Sequence, residues 1–272
     1  MRAAKDRKFT FDRVRAAERL AEAKDFLEGQ GIPLDVAQKH GLGVVDHPAI
    51  GLSIAIPYTE AIVKFRALDP RRKADKFRHL SGHPSSDLIY GIELFDDADF
   101  VLDPVGYVVE SELDALTMES HGFNAVSVSS ATSCLNQEGQ LKFAKEVLEG
   151  LSKAERIFLA LDMDAAGQRC ADAFSKALPP YKTHRLTWKY GGKESGDPKD
   201  VGEVYRSELG RRAWHPLPAQ RKGQKFTISR NREHLKHNSG ISATDAITFL
   251  EISKDGHPKD AQSAMTTLGG LL

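Results

Sequence analysis

From Gly106 to about Arg212 the chain alternates between short β-branched runs and amphipathic stretches. This alternation limits the folds open to it more than any other feature. GYVV leads into SELDALTMESHG, NAVSVS into NQEGQLKFAKEVLEGL, and RIFLAL into AAGQRCADAFSKAL; THRLTW leads, after a Gly-rich loop, into DVGEVYRSELGRR. Strand–helix units in succession predict an α/β fold, a parallel sheet with helices on its faces. A parallel strand pair needs a crossover long enough to hold a helix.

Two of these strands end in the same unusual way. Tyr107-Val108-Val109 is followed by Glu110, Glu112 and Asp114 with no basic residue among them, and the run Ile157 to Leu161 by Asp162 and Asp164. Crowded carboxylates repel unless something positive lies between them. Open parallel sheets bind ligands at the carboxyl ends of their strands, so if these two strands are neighbours, three or four carboxylates meet at one edge. Oxygen-only donors favour Mg2+ or Mn2+. A pair of such ions activates an attacking oxygen and stabilises a leaving one at phosphorus. Each residue also has a structural reading. Asp164 before AAG suits a helix N-cap, Asp200 and Glu203 fit a capping box, and Glu112 is expected to face solvent. Caps alone do not require two strands to end in the same chemistry.

The charge distribution adds to this. The 272 residues carry no formal net charge, and the 40% hydrophobic and 28% charged fractions are those of a soluble globular protein. Yet Val63 to His79 holds seven basic residues against two acids, Glu93 to Asp114 eight acids and no Lys or Arg, and Arg211 to His237 eight basic residues against Glu233 alone. Two basic segments flank an acidic one, which suits metal ions held in one place and a polyanion beside it. Clustered solvated faces read equally well for any single segment. Cys134 and Cys170 stand far apart in the sequence, and no CxxC, HxH or HExxH occurs, so the ligand count excludes a zinc ribbon. Two lone cysteines suit a reducing compartment. No apolar run approaches the ~20 residues of a membrane span, and the first residues lack the apolar stretch of a signal peptide. A cytoplasmic protein without membrane contact is expected.

Ahead of the alternation, Val14 to Gln30 reads as one amphipathic helix and Pro33 to Gly41 as a shorter one, followed by strands in LSIAIPY, AIVKFRAL, DKFRHL and DLIYGI. This predicts a small α+β unit with a basic antiparallel sheet. The expected division is 1–104, 105–215 and a basic extension 216–272. In that extension KFTIS reads as a strand, with weak helices near Ala243 to Ile252 and Ala261 to Leu268.

Glu110-xxx-Asp114, Asp162-x-Asp164 followed by Ala166-Gly167, and Lys199-Asp200 before a helix together resemble the toprim domain. Bacterial primases, topoisomerases, RecR-type recombination mediators and small nucleases share this domain. The resemblance implies Glu110 as general acid/base, Asp162 and Asp164 as Mg2+ (or Mn2+) ligands, Asp114 as an accessory carboxylate and Asp200 as a further ligand. Two positions depart from the family pattern: Ser111 stands where Gly usually follows the Glu, and SSATS (Ser129 to Ser133) where the loop often carries Gly. A missing glycine restricts close backbone approach there.

The first part of the chain is similar to the N-terminal half of the primase catalytic core, in the order seen in phage and plasmid primases. That likeness implies Arg66 and Lys76 facing nucleotide or template, with Lys64 and Arg78 sharing their face at alternate strand positions. The function it implies is RNA primer synthesis in DNA replication: NTPs joined on a single-stranded DNA template. With no zinc module and no GxxxxGK[ST] loop, a bare catalytic core of phage or mobile-element type is expected, working with a helicase or a separate template-recognition protein. A toprim nuclease and a catalytically inactive nucleic-acid-binding accessory protein are the rival readings, and the chain is short for a topoisomerase.

Overall fold

The Ser85–Ser86 bond separates two compact units. The computed structural model of the protein describes residues 10–71, 76–80, 85–96, 100, 104–189, 199–206 and 248–252. In the first unit the expected long helix is broken into α1 (Arg13–Glu18), a 3-10 turn (Leu20–Ala23) and α2 (Lys24–Gly29). Arg19 and Ala23 leave the helical region with ψ near 1° and 7°, yet Ala16, Leu20, Ala23 and Leu27 still all point inward, at the spacing of one helical face. Helix α3 (Leu34–Lys39) follows. Strands β1 (Gly43–His47), β2 (Gly51–Pro57), β3 (Val63–Ala67) and β4 (Phe77–His79) form an antiparallel sheet in that order. Strand β1 was not read from the sequence, because GVVDH is short and carries little alternation.

DLIYGI forms no strand of its own. It contributes one bridge, Tyr90 to Ser127, and then a 3-10 turn (Ile92–Asp96) that lays the Phe95 ring over Gly106. A Cβ on Gly106 would stand 2.3 Å from that ring. These contacts tie Tyr90 and Phe95 to the second unit, which begins at Ser86.

The second unit contains β5 (Val105–Val109), α4 (Glu112–Ser120), β6 (Asn124–Ser127), α5 (Lys145–Leu151), β7 (Arg156–Leu159), α6 (Ala165–Ala177), β8 (Thr183–Lys189), α7 (Val201–Arg206) and β9 (Thr248–Ile252). The strand order is β6-β5-β7-β8-β9; the first four strands are parallel and β9 pairs antiparallel with β8. Strand β9 replaces the end of the helix expected over Ala243 to Ile252. The other elements expected beyond residue 206, KFTIS and the helix near Ala261 to Leu268, lie outside the described residues.

Right-handed crossovers in this order put helices on both faces of the sheet, α4 on one and α5 and α6 on the other. The packing agrees. Val108, Val126, Ile157 and Leu159 pack with Leu151, Cys170 and Phe174 in one core. Tyr107, Phe158 and His184 stack in a row on the opposite face. Helix α5 is shorter than its amphipathic pattern, because Asn136 to Gln140 closes a turn in which the Gln140 N–H donates to Asn136 Oδ1 at 2.8 Å.

Candidate active site

The strand order reverses direction between β5 and β7. Strand β5 leads outward to β6, and the chain then crosses back over β5 to β7. Such a switch point opens a crevice at the carboxyl ends of the two strands. Glu110 ends β5, and Asp162 and Asp164 follow β7, which pairs directly with β5 through Val108 and Leu159. The topology therefore brings together the carboxylates that the sequence keeps about fifty residues apart.

Each carboxylate is held differently. Asp164 is the N-cap of α6, and its Oδ1 accepts from the N–H groups of Ala166 and Gly167 at 2.9 and 3.0 Å. Those donors, Gly167 first, hold its carboxyl below the usual range. Its second oxygen, Oδ2, lies 3.2 Å from Lys199 Nζ. The cap reading and the site reading of Asp164 thus use different oxygens. The Asp162 side chain is only 14% exposed and pairs with Lys199 Nζ at 2.9 Å. Burial pushes its carboxyl up and Lys199 opposes that shift.

Glu110 is pushed up to about 7, first by burial and then by the charge of Asp162. Its Oε2 is buried and has no hydrogen-bond partner. Ser127, fully buried at the end of β6, donates to the Glu110 carbonyl at 3.2 Å and accepts from the Ser129 N–H at 3.0 Å. The turn after β6 is thereby tied to the Glu110 backbone. At the head of that turn Ser129 adopts φ +67°, among the described residues the only residue other than glycine with a positive φ. The loop thus takes the left-handed conformation that a glycine would adopt without strain, and does so with a serine. Cys134, at the end of the same turn, lies with its Sγ 3.5 Å from that of Cys170 on α6, both thiols buried and unbridged. The two cysteines read as distant in the sequence are therefore neighbours.

Ser111 is the N-cap of α4 in extended backbone, accepting from the Asp114 N–H and donating to Asp114 Oδ2 at 2.6 Å. No positive φ is needed there, so serine fits where glycine was expected. Asp200 caps α7, accepting from the Glu203 N–H at 2.7 Å, while Glu203 reaches back to the Lys199 N–H at 2.7 Å, one residue beyond a standard capping box. The Asp200 charge also acts on Asp162. Glu112, expected to face solvent, is 1% exposed. Its charge acts on Tyr90, whose phenol is held protonated first by burial and then by Glu112, Glu93 and Glu119.

Lys199 received no role from the sequence. The signal for it was its place ahead of a capping aspartate, in the Lys199-Asp200 pair of the toprim-like pattern. Among the described residues, no three His, Cys, Asp or Glu side chains stand close enough together to hold a metal ion. The donors nonetheless fit one. All are carboxylate oxygens, one of them is buried without a partner, and an ammonium already bridges two others. Gly167 makes the arrangement possible, since a Cβ there would stand 2.1 Å from the Asp162 carbonyl oxygen.

In the first unit, cross-strand partners share a face. Lys64 opposes His79, Phe65 opposes Arg78 and Arg66 opposes Phe77. Lys64 and Arg66 therefore lie on the Phe77 face, and Arg78 lies on the other face with Phe65, where its charge acts on His47. The shared face expected for all four cations holds for Lys64 and Arg66 and fails for Arg78, because the register sets Arg78 against Phe65. Lys76 precedes β4, and its ammonium reaches the Phe77 ring at 5.1 Å; Lys64 and Arg66 approach the same ring at 4.5 and 5.7 Å. Lys64 is buried at 4% exposure. No helix among the described residues is long and apolar enough to cross a membrane.

Residues 107–201 match the family described as Toprim-like. An alignment of 133 positions, covering 44% of this chain, is 31% identical to the Twinkle homolog protein, chloroplastic/mitochondrial, of Arabidopsis thaliana, and spans 18% of that protein's length. The primase fragment of the bacteriophage T7 primase-helicase superposes with a TM-score of 0.51 at 18% identity, over 75% of this chain and 76% of that one. The Aquifex aeolicus primase, with its zinc-binding and RNA polymerase domains, superposes with a TM-score of 0.52 at 14% identity, over 74% of this chain and 57% of that one. Residues 107–201 are thus similar to a Toprim-like domain, and the fold of the chain resembles the catalytic cores of bacterial and phage primases.

Proposed function

We propose that the chain catalyses metal-dependent nucleotidyl transfer, building short RNA on a single-stranded DNA template from nucleoside triphosphates. The observation that carries this reading is the Asp162 and Asp164 pair held on one cation, with Glu110 at the end of the neighbouring strand, at the β5–β7 switch point. The likeness to primase cores extends beyond residues 107–201 to about three quarters of the chain, which favours synthesis over the other chemistries of toprim domains.

Asp162 and Asp164 would hold Mg2+ or Mn2+, with Asp200, Asp114 and, as the alternative to its role in proton transfer, Glu110 as further candidates. When bound, such an ion supplies positive charge that draws in a triphosphate and offsets charge developing at phosphorus. Asp164 keeps Oδ1 on the helix and presents Oδ2, so this ligand is oriented before anything binds. Glu110 Oε2 takes the proton of the 3′-hydroxyl as that oxygen attacks the α-phosphate, and pyrophosphate leaves. A carboxyl near 7 can accept and return a proton at neutral pH. Arg66 and Lys76 supply phosphate contacts to template or nucleotide, and Lys64, buried beside them, adds its charge to that face. A helicase or a template-recognition protein would select where synthesis starts.

The test is incubation with single-stranded DNA, labelled NTPs and Mg2+ or Mn2+. Short RNA products are expected, reduced roughly 100-fold or more in Glu110→Gln. Shortened DNA without synthesis would replace this reading with a nuclease. DNA binding without any metal-dependent chemistry would replace it with an accessory protein.

A further inference from the structure

Lys199 is placed by its backbone as well as by its charge. Its carbonyl accepts from the N–H of Met163, the residue between the two aspartates, at 2.9 Å. Its own N–H donates to Glu203 Oε2 at 2.7 Å. These two bonds hold the start of α7 against the Asp162–Asp164 turn. The side chain is less confined, with 45% exposure against 14% for Asp162. Its four-carbon stem can turn the ammonium into water while the backbone stays in place. The ammonium lies 2.9 Å from Asp162 Oδ2 and 3.2 Å from Asp164 Oδ2, the latter being the oxygen that the helix cap leaves over.

We infer that Lys199 is the resident counter-ion of the Asp162–Asp164 pair, and that its ammonium and a divalent cation are mutually exclusive occupants of the space between the two carboxylates. This rests on the reading of those aspartates as metal ligands. Without an ion, the two carboxylates would repel each other and Glu110, and the ammonium relieves that repulsion. With an ion, a second positive charge in the same space is repelled in turn, and the dication gains more from the two oxygens than the monocation loses. The lysine therefore acts as a positioning residue. It keeps the ligands close together when no metal is present and weakens metal binding by competing for the same oxygens.

The experiment compares Mn2+ binding by calorimetry to the full chain, to Lys199→Met and to Asp162→Asn. Methionine keeps the stem and removes the charge. Lys199→Met is expected to bind Mn2+ about 3- to 10-fold more tightly, to melt at a lower temperature in EDTA, and to gain more in Tm from Mn2+ than the parent does. On the unsubstituted protein, the 15N resonance of the Lys199 ammonium is expected to shift on titration with Mg2+, a readout that needs no variant to fold. Unchanged or weaker Mn2+ binding in Lys199→Met, or an ammonium resonance indifferent to Mg2+, overturns the inference while loss of binding in Asp162→Asn keeps the site reading intact. If Asp162→Asn binds Mn2+ like the parent, the site reading falls and the inference falls with it.

Discussion

Glu110 and Asp164 are both carboxylates just past a strand end, and their surroundings push them in opposite directions. Burial drives Glu110 up to about 7, while two backbone N–H groups hold Asp164 low. Environments that separate two titratable groups in this way suit one for proton transfer and the other for permanent charge. The Glu110 shift also bears on stability. Between its ordinary 4.5 and about 7 the folded protein keeps a proton that the unfolded chain has released, so stability falls as pH rises through that window. Glu110→Gln removes the effect. In EDTA it should stabilise the protein by roughly 1–2 kcal/mol at pH 8, after allowance for solvent screening, and by little at pH 4.5. Urea denaturation at the two pH values checks this, and equal gains at both would remove burial of charge as the cause.

At the scale of elements, the site depends on how closely α6 approaches the loop after β7. Gly167 sits where a Cβ would meet the Asp162 carbonyl oxygen at 2.1 Å. Gly167→Ala should therefore push the helix and the loop apart. We expect a cost of about 1–3 kcal/mol in thermal unfolding and loss of Mn2+ binding in the same protein. The turn after β6 carries the opposite strain, since Ser129 holds φ +67° without being glycine. Ser129→Gly should raise stability by about 0.5 kcal/mol, the relief of left-handed strain less the entropy of a freer unfolded chain. A drop in stability would mean that the serine side chain does more in the turn than its backbone suggests.

At the scale of the whole molecule, the strand-end carboxylates lie in the second unit and Arg66 and Lys76 in the first, and the two sets should be separable by experiment. Arg66→Ala with Lys76→Ala is expected to weaken single-stranded DNA binding and to lower the slope of log affinity against log salt by about 1.4, the share of two phosphate contacts. Mn2+ affinity should stay unchanged. Arg78→Ala should leave that slope nearly intact, because its register places it on the other face of the sheet. Titration of DNA binding at several salt concentrations reads both outcomes.

The alternation of strands and helices from Gly106, the carboxylates after two of the strands and the capping aspartates were all legible in the sequence, because period, composition and spacing are local properties. The strand adjacency was not. Nothing in GYVV or RIFLAL says that the strands pair; the crossover over β5 decides it, and with it the meeting of Glu110, Asp162 and Asp164. The division of cations between the faces of β3 and β4 followed from a register that a short, weakly patterned strand does not announce. Cys134 and Cys170 became neighbours, and Glu112 became buried, through packing between distant segments. Lys199 shows the same limit most plainly. Its charge was visible in the sequence, but only the fold places that charge between two aspartates 37 and 35 positions earlier in the chain. A sequence records which groups are present and how they are spaced along one strand or helix, whereas a site assembled across strand ends depends on contacts that only the folded chain makes.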